Sequence, residues 1–409
     1  MNPFALAAIL MSLVALAGWA NAKTLKLPHG VAMMLAGLLG AVAVFAVQTV
    51  LPDLKPIKAI TDVVSGIDFA KTVTGYMLAF LLFAGAMQVD LGEMQRRWFS
   101  IGALATLGVA GSIVIVGFGL WLIAGALGIA LPLIWALAFG ALISPTDPVA
   151  VLATVRHVKM SKALTSVLQG EALFNDGVGI VAFTALVAVA TGGDANPFRD
   201  VMDVLVQALG GLALGMAASW AVIAVMGTLD DFVVEVSMSI ALAMAVYAGA
   251  QALHLSGAIA VVGAGMLFGG PRARKAMAGD TEPYLRGFWT LVDEILNALL
   301  FLLLGVEMIA VPFYVHETGL LLAAIPLVLL ARFVVVLPWG VYYRSRGERG
   351  AATILGWGGL HGALSLALAL SLPDGPERTL LLAVTYAVVA FSIAAQGLSF
   401  GPVVKRVTA

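Results

Sequence analysis

Long apolar runs separated by short polar breaks occupy almost the whole chain. Runs able to span about 30 Å of hydrocarbon, roughly 17–25 residues each, lie at about 3–20, 30–51, 72–89, 101–127 and 131–154. They continue at 163–190, 202–227, 232–252, 256–270, 287–311, 318–343, 350–373 and 379–402. This pattern predicts thirteen transmembrane helices, of which 256–270 is the shortest and is rich in glycine. The fold class expected is an all-α membrane protein.

The distribution of Lys and Arg tests that count, because cytoplasmic loops carry the excess of positive charge. With thirteen spans and the N-terminus outside, 16 of the 22 Lys and Arg face the cytoplasm. Lys55, Lys58, Lys71, Arg199 and Arg378 face outside, and only Arg332 is left within a span. If 256–270 did not span, the split would become 8 inside against 13 outside. The expected arrangement is multi-pass in the cytoplasmic (inner) membrane, with the N-terminus outside and the C-terminus cytoplasmic.

Composition adds little to this picture but excludes several classes. Of 409 residues, 61% are hydrophobic and 11% charged, against about 25% charged in soluble proteins, and mean hydropathy is +1.04. With no cysteine, disulfide frameworks, thiolate catalysis and Cys-based metal sites are out. No appended soluble regulatory domain is expected. Ala20-Asn21-Ala22 resembles a signal-peptide cleavage site, but no basic residue precedes the first run while Lys23 and Lys26 follow it. That asymmetry suits a retained first helix.

Against so apolar a background, the polar residues inside spans stand out. The fifth run contains SPTDPVAV, with Asp147 between Pro145 and Pro148. Proline lacks a backbone donor and disfavours helix in the residue before it, so the helix should break at Ser144 and Asp147. Groups freed by such a break are tolerated at membrane depth only where protein or a hydrated cavity satisfies them. Span 12 opens GWGGLHGALSLALAL, with Gly356, Gly358, Gly359 and Gly362 around His361. If spans 1–6 (about 3–190) and 8–13 (about 232–402) are two six-helix repeats linked by 202–227, span 5 corresponds to span 12. The offset of seven spans makes the repeats inverted. Paired interruptions in inverted repeats point to a midplane binding site, although glycines also serve close helix packing.

Span 6 carries QGEALFNDGVGI from Gln169. At about 100° per residue, Glu171 and Asn175 lie one turn apart on one face, and Gly177 and Gly179 admit a second backbone. Intramembrane acids cost roughly 2.5–3.5 kcal/mol on insertion scales and usually mark an ion or proton pathway. Asp147 and Asp176, on consecutive spans, can face each other. With Thr146, Asn175 and unwound carbonyls they would offer a hard monovalent cation its oxygen ligands. A carboxyl drawn out of water can hold either a proton or a cation, and that competition suffices for exchange. Plainer readings exist: Asp176 as a hydrogen-bonding acid, Asp147 as the cap of a broken helix. Arg332 lies too deep to snorkel, and Glu171 is its available partner, the two aspartates being better placed for other work. His361 could titrate near neutral pH, though packing is its simpler use. Glu307 reads as interfacial.

These residues resemble a known family. SPTDPVAV, GEALFNDGVGIV, ARF, HLSGAIAVVGAGMLFG and GGLHGALSLALALSLP together resemble the NhaP type of cation:proton antiporters, relatives of the animal sodium/proton exchangers, over essentially the whole chain. The resemblance implies the inverted-repeat antiporter fold exemplified by NhaA, a more distant relative with two adjacent aspartates where this chain has Asn175-Asp176. It implies a homodimer in which a core bundle moves against a dimerisation domain. It also implies that Asp176 binds Na+ (or Li+) and exchanges it for a proton, assisted by Asp147, Asn175 and the Thr146 backbone. Glu171 would pair with Arg332, and exchange would be electroneutral, one cation per proton. The chain departs from the pattern at three places. Phe83-Ala84-Gly85 stands where many relatives have Phe-Glu-Gly, Ala172 where some have serine, and His361 where arginine is common. The expectation is therefore a transporter and not an enzyme, with no cofactor beyond the transported ions and no nucleic-acid partner.

Readings from other classes fit less well. An intramembrane aspartyl protease would need two acids sharing a proton beside a wet peptide site, and its Gly-x-Gly-Asp signature is absent. A cation channel would need a filter loop or charged ring. The nearest competitor is a K+/H+ antiporter of the same fold.

Overall fold

The computed structural model describes residues 3–27, 29–50, 77–147, 160–192, 197–277, 281–307 and 315–408. Among them every regular element is helical. We number the helices α1 (Pro3–Lys23), α2 (His29–Val50), α3 (Leu78–Met87), α4 (Leu91–Arg96), α5 (Trp98–Ala126) and α6 (Leu133–Ile143). They continue as α7 (Lys162–Ala190), α8 (Pro197–Met226), α9 (Phe232–Ala252), α10 (Gly257–Phe268), α11 (Pro271–Ala276) and α12 (Thr281–Glu307). The last are α13 (Thr318–Ser345), α14 (Ala351–Trp357), α15 (Ala363–Leu370) and α16 (Pro376–Thr408). Seven of the described helices are long and apolar enough to cross a membrane, and five shorter apolar helices accompany them. The beginning of the third run, Pro148 with the second half of the fifth, and the side chain of Glu307 lie outside the described residues.

Two groups of helices pack internally and meet along a seam. In one, α5, α6, α7, α13, α14, α15 and α16 contact one another. In the other, α12 packs on α2 and α3, and α10 on α3, α8 and α9. The second group holds α12 in place through aromatic contacts. Phe83 of α3 lies 4.6 Å from Trp289 and 5.8 Å from Phe268, ring centre to ring centre. The Trp289 indole donates to Ser239 Oγ of α9 at 2.9 Å, so its one polar atom is satisfied in an apolar setting. Exposure differs along the chain as a lipid-facing shell and a packed interior require. The most apolar window of α16 is 72% buried, whereas that of α8 is 28% buried, its flank left to lipid.

Two short elements were not evident in the apolar pattern. Asp90 caps α4 by accepting from Gly92 N at 2.9 Å, and α4 turns the chain between α3 and α5. Helix α12 begins six residues before the apolar run, because Glu282 pairs with Arg286 one turn on, at 2.8 Å. Such a pair supports helix at a polar end.

Candidate ion-binding site

The site is built where two helix breaks meet. Helix α6 stops at Ile143; Ser144, expected to leave the helix before Pro145, instead caps it with φ and ψ still right-handed helical, and the chain runs outside regular helix from Pro145 to Asp147. Helix α14 stops at Trp357 and α15 resumes at Ala363. The non-helical stretches at the two breaks meet, and Asp147 N donates to the Leu360 carbonyl at 2.6 Å. His361 Nδ1 donates to the Pro145 carbonyl at 3.3 Å, tying the second break to the first.

Several groups freed at the second break find a protein partner. Helix α16 contains a π turn over Ser392–Gln396, and that turn aims two side chains at the break. Ser392 Oγ accepts from His361 N at 2.8 Å, and Gln396 Nε2 donates to the Trp357 carbonyl at 3.2 Å. Arg332 of α13 donates to the Leu355 carbonyl from Nε at 3.2 Å and from Nη2 at 3.0 Å. Backbone that would be costly in hydrocarbon is thus satisfied within the bundle.

Helix α7 brings the polar residues of span 6 to this crossing. Its N-terminus is capped by Ser161 Oγ, which accepts from Leu164 N at 3.2 Å. One turn apart on its inner face, Glu171 and Asn175 do different jobs. Glu171 forms a two-pronged ion pair with Arg332, Nη1 to Oε1 and Nη2 to Oε2, with the residues 2% and 7% exposed. Asn175 holds the first break: its Nδ2 donates to Thr146 Oγ1 at 2.9 Å, and its Oδ1 accepts from Thr146 N at 3.5 Å.

Two glycines make these approaches possible. A Cβ on Gly179 would stand 2.5 Å from Pro145 Cγ, so only glycine lets α7 lie against the break. At Gly362 the φ of −125° is open to any residue. What excludes a side chain there is the Asp147 carboxylate, whose Oδ2 would lie 2.6 Å from the new Cβ.

Asp147 and Asp176, both partly buried, open onto one cavity of about 90 Å3, close enough for their charges to interact. Its walls include Pro145, Thr146, Ala172 and Gly362. Among the described residues no basic side chain forms an ion pair with Asp176. Asn175 stands behind Thr146 and holds it, while Glu171 and Arg332 do not line the cavity. Ala84 is fully buried beside cavity-lining Gly85.

The cavity also contains residues that the sequence reading did not single out. Asp293 and Asn297 of α12, Gln88 beyond the end of α3, and Ser365 of α15 line it too. The available signal was a polar pair spaced i, i+4, Asp293 and Asn297, four and eight residues after buried Trp289.

Known proteins resemble this chain along nearly its whole length. The profile of the family described as sodium/hydrogen exchanger, transmembrane, matches residues 10–406. The chain is 37% identical to the Na+/H+ antiporter NhaP of Pseudomonas aeruginosa, across 99% of this chain and 97% of that one. It is 33% identical to the Na+/H+ antiporter NhaH of Halobacillus aidingensis, across 95% and 94%. Among solved structures, the sodium proton antiporter MjNhaP1 of Methanocaldococcus jannaschii at pH 8 superposes with a TM-score of 0.74. At 18% identity, with 100% of this chain and 99% of that chain covered, the likeness is one of fold.

Proposed function

The chain belongs to the sodium/hydrogen exchanger family, and from that premise we propose that it is a secondary active antiporter exchanging Na+ or Li+ for H+ across the cytoplasmic membrane. In this reading thirteen transmembrane helices form two inverted six-helix repeats, about 3–190 and 232–402, joined by the helix at about 202–227. The N-terminus is outside, the C-terminus cytoplasmic, and the protein is a homodimer.

One observation carries the reading. The two helix breaks cross beside Asp147, and Asp147 and Asp176 open onto the same small cavity. Asp176 carries either a proton or a cation, never both, so each access state must be loaded before the protein switches. Asp147 adds a second negative charge, and Thr146, positioned by Asn175, adds neutral oxygen. Hard cations favour such oxygen ligands. One carboxyl alternating between one proton and one monovalent cation gives 1:1, electroneutral exchange. Access alternates as the bundle of α5–α7 and α13–α16 shifts along the seam. The Glu171–Arg332 pair keeps that bundle rigid, and His361, between the two breaks, is the candidate for pH modulation.

Everted membrane vesicles holding a proton gradient test the ion assignment. Na+ and Li+ are expected to dissipate the gradient and K+ to leave it standing. A response to K+ alone would make the protein a K+/H+ antiporter, and no response to any of the three would overturn the reading.

Gly362→Ala probes the crossing itself. The new methyl forces the Asp147 carboxylate or the crossing strand to move, an overpacking cost of about 1–3 kcal/mol. If half of it falls on the loaded site, the half-saturating Na+ concentration rises by roughly twofold to tenfold. An unchanged half-saturation, with protein amount also unchanged, would place Asp147 outside the site.

A further inference from the structure

The cavity has a wall from each bundle, and the wall opposite Asp176 carries a third carboxylate. Asp293 projects from α12, which packs on α2 and α3 in the other group of helices. It is held in place rather than swinging freely: Asn297 Nδ2 donates to Asp293 Oδ1 and to the Asp293 carbonyl, both at 2.9 Å. Gln88, whose Nε2 donates to the Ala84 carbonyl at 3.2 Å, lines the cavity with the same carboxylate. Charge repulsion links Asp293 to Asp147 across the cavity. A polar fastening of this kind orients an acid toward a partner.

A second observation points independently to a ligand. Ser365, 1% exposed, lines the cavity from α15, and its Oγ has no hydrogen-bond partner among the described residues. Buried hydroxyls are ordinarily satisfied, so an oxygen left facing a cavity rich in carboxylates is suited to a cation or its water. Among the described residues no three acidic or His side chains converge tightly enough to hold a bare metal ion. At about 90 Å3 the cavity instead has room for an ion together with a few waters.

We propose that Asp293 and Ser365 Oγ belong to the cation site, completing from the two sides of the seam the oxygen shell of a partly hydrated Na+ or Li+. This rests on the exchange reading above and adds to it a ligand supplied by the opposite bundle. Because Asp293 and Asp176 sit on bundles that shift against each other, Asp293 contacts the ion in one access state and releases it in the other. It thereby tunes affinity on one side of the membrane, while Asp176 alone carries the exchanged charge.

The test is Na+ half-saturation and maximal rate of gradient dissipation, in everted and in right-side-out vesicles, for Asp293→Asn, Asp293→Glu, Ser365→Ala and Glu294→Gln. Asp293→Asn is expected to raise half-saturation on the order of tenfold, the loss of one charged oxygen contact in a desolvated site. The rise should be larger on one membrane face than on the other, with the maximal rate within about twofold of wild type. Ser365→Ala should raise half-saturation roughly threefold, as for one neutral contact, and Asp293→Glu should recover most of the loss. Glu294→Gln, exposed on the next position of the same helix with its charge felt by Asp293 but outside the cavity lining, should change half-saturation by less than about twofold. An unchanged half-saturation in Asp293→Asn, or an equal rise in Glu294→Gln, would overturn the proposal. Should Asp293→Asn not accumulate, Ser365→Ala and Asp293→Glu decide: wild-type half-saturation in both would overturn it. Loss of all exchange in Asp176→Asn alongside any of these results would leave the underlying exchange reading intact, so the two can fail separately.

Discussion

Arg332→Ala is expected to leave several-fold less folded protein in the membrane than wild type. The change strands the Glu171 carboxylate at 2% exposure, with no other basic residue inside a span to take it. It also removes the donors on the Leu355 carbonyl, at the end of the interrupted helix. Breaking one side of a buried pair costs about 3–5 kcal/mol, a large part of the 5–15 kcal/mol that commonly separates folded from unfolded protein. Glu171→Ala should do comparable damage by leaving the guanidinium buried. The double replacement Glu171→Leu with Arg332→Met should lose less than the two single changes together, because neither charge is then stranded. Size-exclusion profiles and melting of detergent extracts read all three. Wild-type amounts and wild-type exchange in both single variants would show that the pair is not structural.

Asp176→Asn should behave in the opposite way: normal amounts of folded protein and exchange at background. Asparagine keeps the size and much of the hydrogen bonding of the aspartate, and no ion pair is lost, since none among the described residues uses Asp176. What disappears is the ability to bind a proton in one half-cycle and a cation in the other. Asp147, held at the crossing by its backbone N on the Leu360 carbonyl, is expected to lend charge to the site without replacing Asp176. The contrast between the two variants separates acids that hold the bundle from the acid that does the exchange.

Much of this was legible in the chain. Apolar runs bounded by turns and caps gave the helices, and the prolines of SPTDP together with the glycines of GWGGLHG marked the two interruptions. The pairing of Arg332 with Glu171 followed from there being one basic residue within a span. What could not be read was which residues the breaks would meet. Ser392 and Gln396 belong to a π turn that carries no periodic signal, yet they satisfy the freed backbone. Asp293 was hidden for a different reason. It sits next to Glu294 and within three turns of Glu282 and Arg286 at a helix end, where charges are ordinary, and only packing of α12 against α3 turns it toward the cavity. Period identifies a helix; it does not say which face another bundle will cover.

The central claim is that proton and cation compete for Asp176. It is tested most directly by adding Na+ to the purified, weakly buffered protein while following pH and bound Na+ together. Close to one proton should leave for each Na+ bound, and Asp176→Asn should release none. Stoichiometric Na+ binding without proton release by the wild type, or undiminished proton release by Asp176→Asn, would contradict the account.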